Sequence, residues 1–328
     1  MSDSAEQQCA KRPRIDTSNA LPTIPERGDP WLDDRNIILH AESTQFRVHR
    51  SILSASSSVF RDMFSLPQPE NENLVDGCPV VHVSDTADNL HHVLKALFDR
   101  SYCSVDNESQ PLAVIAAFLR LGRKYDIQQL YSEATKRLES EFPSTFEEFD
   151  NVADCFSLID YDGDDKEISF TIINLAREND VLSVLPGAFY AICTLHDMKE
   201  FVEAMERSEG SATELSVFDQ RVVIKGRHSL LERQATETYK WLWQEDTFAA
   251  ICTANNCAKN RRELLHMYWF PQVSCSALAT WQLEWEKNYC KACVRKSKEL
   301  HNAGRRKIWE ELPLFFGLPG WEELTKKK

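Results

Sequence analysis

The chain has 328 residues, with 38 Lys+Arg against 51 Asp+Glu for a net charge of −13, and 42% hydrophobic and 27% charged residues. It is long enough to bury a proper core in two domains or in one domain with a large extension. The negative balance repels nucleic acid on average, and no apolar run approaches the roughly 18 residues needed to cross a bilayer. The N-terminus lacks the apolar centre of a secretion signal, so the expectation is an intracellular protein, with nucleus and cytoplasm both open. Ten cysteines in such a protein read as reduced thiols or metal ligands.

The charge is unevenly spread. From Cys252 onward there are 14 basic against 8 acidic residues, a net of +6, which leaves −19 for the residues before it. The two parts face different partners, or each other.

Residues 1–28 are polar and aperiodic and read as a disordered tail. Within them, Lys11, Arg12 and Arg14 form the short basic cluster that an import receptor grips, or a solvated basic tail. Next come a strand over Asn36–Leu39, a turn over Ala41–Thr44 and a second strand over Phe46–His49. The helical run that follows carries Ile52, Leu53, Val59, Phe60, Met63 and Phe64 as its apolar face. A polar loop over Pro67–Gly77 leads to a strand at Val80–Val83. Thr86 then caps a helix with Leu90, Val93, Leu94, Leu97 and Phe98 on one stripe. Pro111 opens the next helix, which ends near Gly122, and a further helix carries Ile127, Leu130, Tyr131, Ala134 and Leu138. Strands followed by paired helices give an α+β unit, a small sheet covered by helical hairpins.

Phe46-x-Val48-His49-Arg50, the run from Ser51 to Phe64, and Lys124-Tyr125-Asp126 resemble the BTB/POZ domain in the form numerous among fungal proteins. The resemblance implies that fold for 29–140. It implies dimerisation through the first strand, the first helix and adjacent apolar surface, here Val59, Phe60, Met63 and Phe64. It also brings an acidic residue and a basic one, here Asp34 and Arg50, together at the dimer-related groove, and assigns His49 to the turn into the first helix. Some members bind a cullin scaffold and deliver substrates for ubiquitination.

Pro143 breaks the chain, and Ser144-Thr145-Phe146-Glu147 resembles a capping box. Three apolar sets, Phe146/Phe149/Val152/Phe156, Ile168/Ile172/Leu175 and Leu185/Phe189/Ile192, indicate an all-α extension over 141–207. The acidic run from Asp160 to Asp165 fails as a calcium loop, because Asp165 and Thr171 stand where Gly and a bidentate Glu are needed. After a polar linker at Ser208–Thr213, Leu215–Leu242 reads as one or two helices. The remainder of 208–328 is a helical region rich in cysteine and tryptophan.

Cys252-x4-Cys257 and Cys290-x2-Cys293 are two pairs with 32 residues between them. Two such knuckles supply the four thiolates of a structural zinc site, with His266, Cys275 and His301 as substitutes if one cysteine is not a ligand, and the alternative is four packed thiols. Downstream, a basic segment followed by Trp309-x-x-Leu312-Pro313-x-x-Phe316-Gly317-Leu318-Pro319-x-Trp321 resembles the closing segment of many fungal BTB-domain proteins. Arginines beside tryptophans could touch nucleic acid. The favoured alternative is an amphipathic helix that docks Trp309 and Leu312 onto the protein, with its basic face solvated or paired with the acidic part. No G-x-S-x-G, P-loop, dinucleotide or H-E-x-x-H motif occurs, so no enzyme is expected. The expected function is a homodimeric adaptor for an unknown protein partner, with a cullin-type ubiquitin ligase as one version. The alternative is a nuclear transcription or chromatin factor whose Cys-rich basic region contacts nucleic acid.

Overall fold

The computed structural model describes residues 25–66, 74–99, 101–102, 109–151, 157–161, 168–211, 213–254, 256–270 and 273–326. The basic cluster Lys11, Arg12 and Arg14, the apolar positions Val152 and Phe156, and Asp162–Asp165 lie outside them. The first part is a sheet of five strands in the order β1-β3-β2-β5-β4. Its strands are β1 (Glu26–Trp31), β2 (Ile37–Ala41), β3 (Thr44–Val48), β4 (Leu74–Val75) and β5 (Cys78–Val83). β2 and β3 form an antiparallel hairpin, whereas β1 runs parallel to β3 and β5 parallel to β2. The tail expected over 1–28 therefore ends earlier, because Glu26 and Arg27 pair with Thr44 and Gln45.

Alternation places Ile37, Leu39, Ala41, Phe46 and Val48 on the core face. Helices α1 (Arg50–Ser56), α2 (Ser58–Ser65), α3 (Ala87–Phe98), α4 (Leu112–Lys124) and α5 (Gln128–Glu141) cover that face. Thr86 caps α3 by accepting from the Asn89 amide at 3.3 Å, as the sequence indicates. Ser57 caps α2 by accepting from the Phe60 amide at 3.0 Å, and its hydroxyl donates to the Tyr125 carbonyl. Gly122 allows α5 to approach α4, since a Cβ there would sit 2.9 Å from the Tyr131 amide nitrogen.

The helical continuation comprises α6 (Phe146–Asn151), α7 (Ile168–Glu178), α8 (Leu185–Leu195) and α9 (Met198–Ser208), with the short β7 (Ile159–Asp160) paired to β6 (Gln110–Pro111). The cap of α6 is one residue later than expected: Thr145 accepts from the Glu148 amide at 3.3 Å and donates to the Glu148 carboxylate at 2.7 Å. α10 (Val217–Arg233) then runs into a π turn (Gln234–Thr238) and a 3₁₀ turn (Lys240–Leu242). α11 (Asp246–Ala249), α12 (Cys257–Trp269), a 3₁₀ turn (Leu283–Glu286), the 25-residue α13 (Lys291–Phe315) and α14 (Trp321–Leu324) complete the chain.

Two apolar cores result. The larger runs from the sheet through α4, α7 and α8 to Ile308, Trp309, Leu312 and Phe316. The smaller gathers Tyr239, Trp241, Leu242, Phe248, Cys257, Trp285 and Cys293. α13 enters both, with Cys293 in the small core and Trp309 in the large one, where Trp309 lies 4.7 Å from the Phe149 ring and 4.9 Å from that of Trp321. The docking expected of Trp309 and Leu312 is thus made.

α13 crosses the π turn at Gly304, where a Cβ would meet the Glu237 carbonyl group at 2.5 Å. Backbone atoms cannot swing aside as a side chain does. Gly304→Ala is therefore expected to cost about 1–3 kcal/mol in chemical denaturation. Gly320→Ala, with nothing within 4 Å of the added methyl, should stay within about 0.5 kcal/mol of the parent.

Candidate metal centre and interaction surface

Local structure delivers each of the four cysteines from a different place. Cys252 follows α11, Cys257 opens α12, Cys290 caps α13, and Cys293 lies in its first turn. The four sulfur atoms lie within 4.8 Å of one another. Cys257 and Cys293 are buried, whereas Cys252 and Cys290 are half-buried. Sulfurs tetrahedral about zinc at about 2.3 Å stand about 3.8 Å apart, so the spacing suits one ion. All four donors are side-chain sulfurs, a soft set that fits zinc and leaves no open position for substrate.

The backbone supports the thiolate form unevenly. The Cys290 amide donates to Cys257 Sγ at 3.2 Å. Hydrogen bonds with the Thr253 and Cys293 backbones hold the Cys290 thiol down at about 6. Burial pushes Cys257 up, and it pushes Cys293 up further, with the neighbouring thiols adding to the effect. Four sulfurs this close therefore share their protons unless a cation replaces them. His266 stacks on Phe270 at 5.0 Å on the outer side of α12, His301 bonds elsewhere, and Cys275 belongs to the larger core.

Around this cluster stand Trp241, Trp281, Trp285, Tyr239 and Tyr268, with ring centroids 5.2–6.1 Å apart in the contacting pairs. His301 lies at their centre, fully buried. Its Nε2 donates to the Ala279 carbonyl at 2.9 Å, and its Nδ1 accepts from Trp241 Nε1 at 3.4 Å. Both contacts are satisfied by one neutral tautomer, and a proton on Nδ1 would face the indole N–H. Sequence reasoning did not single out this role. The i+8 spacing from Cys293 to His301 on one helix face was the available signal.

On the first domain, Asp34 and Arg50 make no ion pair with each other within the chain. Asp34 lies 3.4 Å from Arg35 Nε and 3.7 Å from His49 Nε2. Arg50 instead donates to the Phe64 carbonyl and lies over the Phe64 ring at 5.2 Å. Phe60 and Phe64 turn inward, 1% and 3% exposed, so they belong to the chain's own core and not to a partner-facing surface. Val59 is 39% exposed, Met63 half-buried, and Leu66 64% exposed.

The basic run on α13 is taken up by acids of this chain. Arg305 pairs with Asp150, Arg306 with Glu147 at 2.7 Å, and Lys307 with Glu237 at 2.6 Å. Each of these three side chains is thus engaged with a carboxylate of the chain, as the amphipathic docking of this helix anticipates.

Residues 33–141 match the family model of the BTB/POZ domain. With the sheet and helical hairpins above, this part of the chain is a BTB/POZ domain, a class of protein-protein interaction domain. No curated protein matches the chain.

Burial, with a smaller contribution from the Arg305 charge, pushes His301 down to about 4, against an ordinary value of 6.5. The unfolded chain then binds the extra proton between about 6.5 and 4, so stability present above 6.5 is lost as pH falls through that window. The contribution is about 3 kcal/mol. His301→Gln can keep both hydrogen bonds without titrating. Urea unfolding across pH 7 to 4 should show a slope shallower by one proton in that variant, whereas an unchanged slope would mean that His301 does not titrate in this way.

Proposed function

We propose that the protein is a non-enzymatic adaptor that pairs with a second copy of itself through its BTB domain and presents the helical remainder to a protein partner. The observation that carries this reading is the BTB/POZ domain with Val59 and Leu66 uncovered at α2, beside half-buried Met63. Apolar side chains on one helix edge of an interaction domain are best covered by the same edge of a symmetry mate. A cullin scaffold is the finer version of the partner, supported by the family and by the helices that follow the domain.

The four-cysteine cluster is read as a structural zinc site. Cys252, Cys257, Cys290 and Cys293 would hold the ion, and zinc would supply only a cross-link between α12 and α13. Every described cysteine is a free thiol, which agrees with a reducing intracellular compartment. Among the described residues no helix is long and apolar enough to cross a membrane.

Sedimentation equilibrium of the full chain should give a dimer at tens of micromolar. Val59→Glu should weaken it at least tenfold, about 1.4 kcal/mol, with the circular dichroism unchanged. A monomeric wild type would contradict the dimer reading. Separately, failure to retain a cullin N-terminal domain in a pull-down would remove the cullin version and leave dimerisation standing.

Elemental analysis should find one zinc per chain, lost when Cys290 and Cys293 are both changed to Ser. Loss of the ion should also open the region after Trp243 to protease. A metal-free wild type would overturn the zinc reading.

A further inference from the structure

Arg261 is only 3% exposed, yet among the described residues its Nε and Nη1 find no hydrogen-bond acceptor. It sits on α12 one turn beyond Cys257, on the same helix face. Its guanidinium lies over the Phe248 ring at 4.1 Å, which holds it in place but gives its N–H groups nothing to donate to. Buried Arg227 and Arg305 are answered differently. Arg227 donates to the His196 carbonyl at 2.6 Å, and Arg305 to the Leu278 carbonyl at 3.0 Å as well as to Asp150.

A buried cation without a counter-charge is among the most costly arrangements in a protein interior. Tyr289, directly before Cys290, repeats the pattern: among the described residues its buried hydroxyl is also without a partner, and it lies within electrostatic reach of Arg261, Cys257, Cys293 and, more weakly, Glu263, whose carboxylate makes no ion pair with Arg261 and pairs with Lys259 at 3.7 Å. Tyr289 thus links the two, within reach of Cys257 and Cys293 on one side and of Arg261, one helical turn past Cys257, on the other.

We infer that Arg261 is the counter-charge of a four-thiolate metal unit, and that the site is built to hold a divalent thiophilic ion with all four cysteines deprotonated. This rests on the metal reading above. In the binding step the remaining S–H protons, up to four of them, leave to solvent and four metal–sulfur bonds form, so four thiolates and an ion of charge +2 make a unit of charge −2. Without a nearby cation, the low-dielectric surroundings of Cys257 and Cys293 oppose that net charge, and the cluster keeps a proton or releases the ion. Arg261 offsets the charge from one side of the cluster. Its role is positioning and electrostatic: it takes no part in coordination, and its effect falls on the proton-metal competition.

The test uses the full-length chain with zinc alone as probe, titrated against a chromophoric chelator over a pH series. Arg261→Met and Arg261→Gln should each bind zinc at least about tenfold more weakly. With up to four protons competing, the pH of half-release should rise by about a quarter of a unit or more. Arg261→Lys, which keeps the charge, should stay close to wild type. Cobalt-loaded wild type and variants should share one tetrahedral all-sulfur spectrum, which separates lost charge from lost structure. If Arg261→Met and Arg261→Gln keep the wild-type affinity and half-release pH while the Cys290/Cys293 double variant loses zinc, this inference fails and the metal reading survives. If the wild type binds no zinc, both fail.

Discussion

The crossing of α13 over the π turn at Gly304 is the constraint on which the second half of the molecule depends. Among the described residues the helix is the one element that enters the four-cysteine cluster at one end and the large apolar core at the other, and at Gly304 it passes so close to the Glu237 backbone that no Cβ fits between them. The π turn contributes a second contact. Gln234 donates to the Ser274 carbonyl at 3.0 Å and accepts from the Ser276 amide at 2.8 Å, and Thr238 donates to the Ala277 carbonyl at 2.6 Å. Arg305 and His301 of α13 bind the next two carbonyls, of Leu278 and Ala279, and Tyr190 accepts from the Leu278 amide at 3.0 Å. A segment with no regular structure is thus clamped between the two cores by side chains from three helices, its polar groups satisfied one by one.

The electrostatics follow the same geometry. Burial pushes the Glu237 carboxyl up, but Lys307, Lys240 and Arg233 together outweigh it and hold the group below the usual carboxylate range. Arg233 also reaches Glu311 at 2.6 Å, so one network ties α10, the π turn and α13 together. Four basic side chains after Cys252, Arg262, Arg305, Arg306 and Lys307, therefore pair with acids before it. This is one of the two outcomes that the charge gradient alone allowed.

What could be read in advance was what depends on local periodicity. The caps of α3 and the start of α4 at Pro111, the stripes of α7 and α8, and the docking of Trp309 and Leu312 follow from spacing within one helix. The two cysteine knuckles were visible for the same reason, each being a short local pattern, although 32 residues separate them. Periodicity identifies a face and not its occupant, so Phe60 and Phe64 looked as available to a partner as Val59. Within the chain the Arg50 side chain turns toward Phe64 and leaves Asp34 beside Arg35 and His49, an orientation that no local pattern announces. The clamp on residues 274–279 had no sequence signal, because its five side chains are scattered from Tyr190 to Arg305.

The central claim is that the cluster is a closed, single-ion, all-sulfur centre that fixes α12 to α13. X-ray absorption at the zinc edge of the full-length protein tests this most directly. The account predicts four sulfur neighbours at about 2.3 Å with no metal–metal scattering. A first shell containing nitrogen or oxygen, fewer than four sulfurs, or no bound zinc would contradict it.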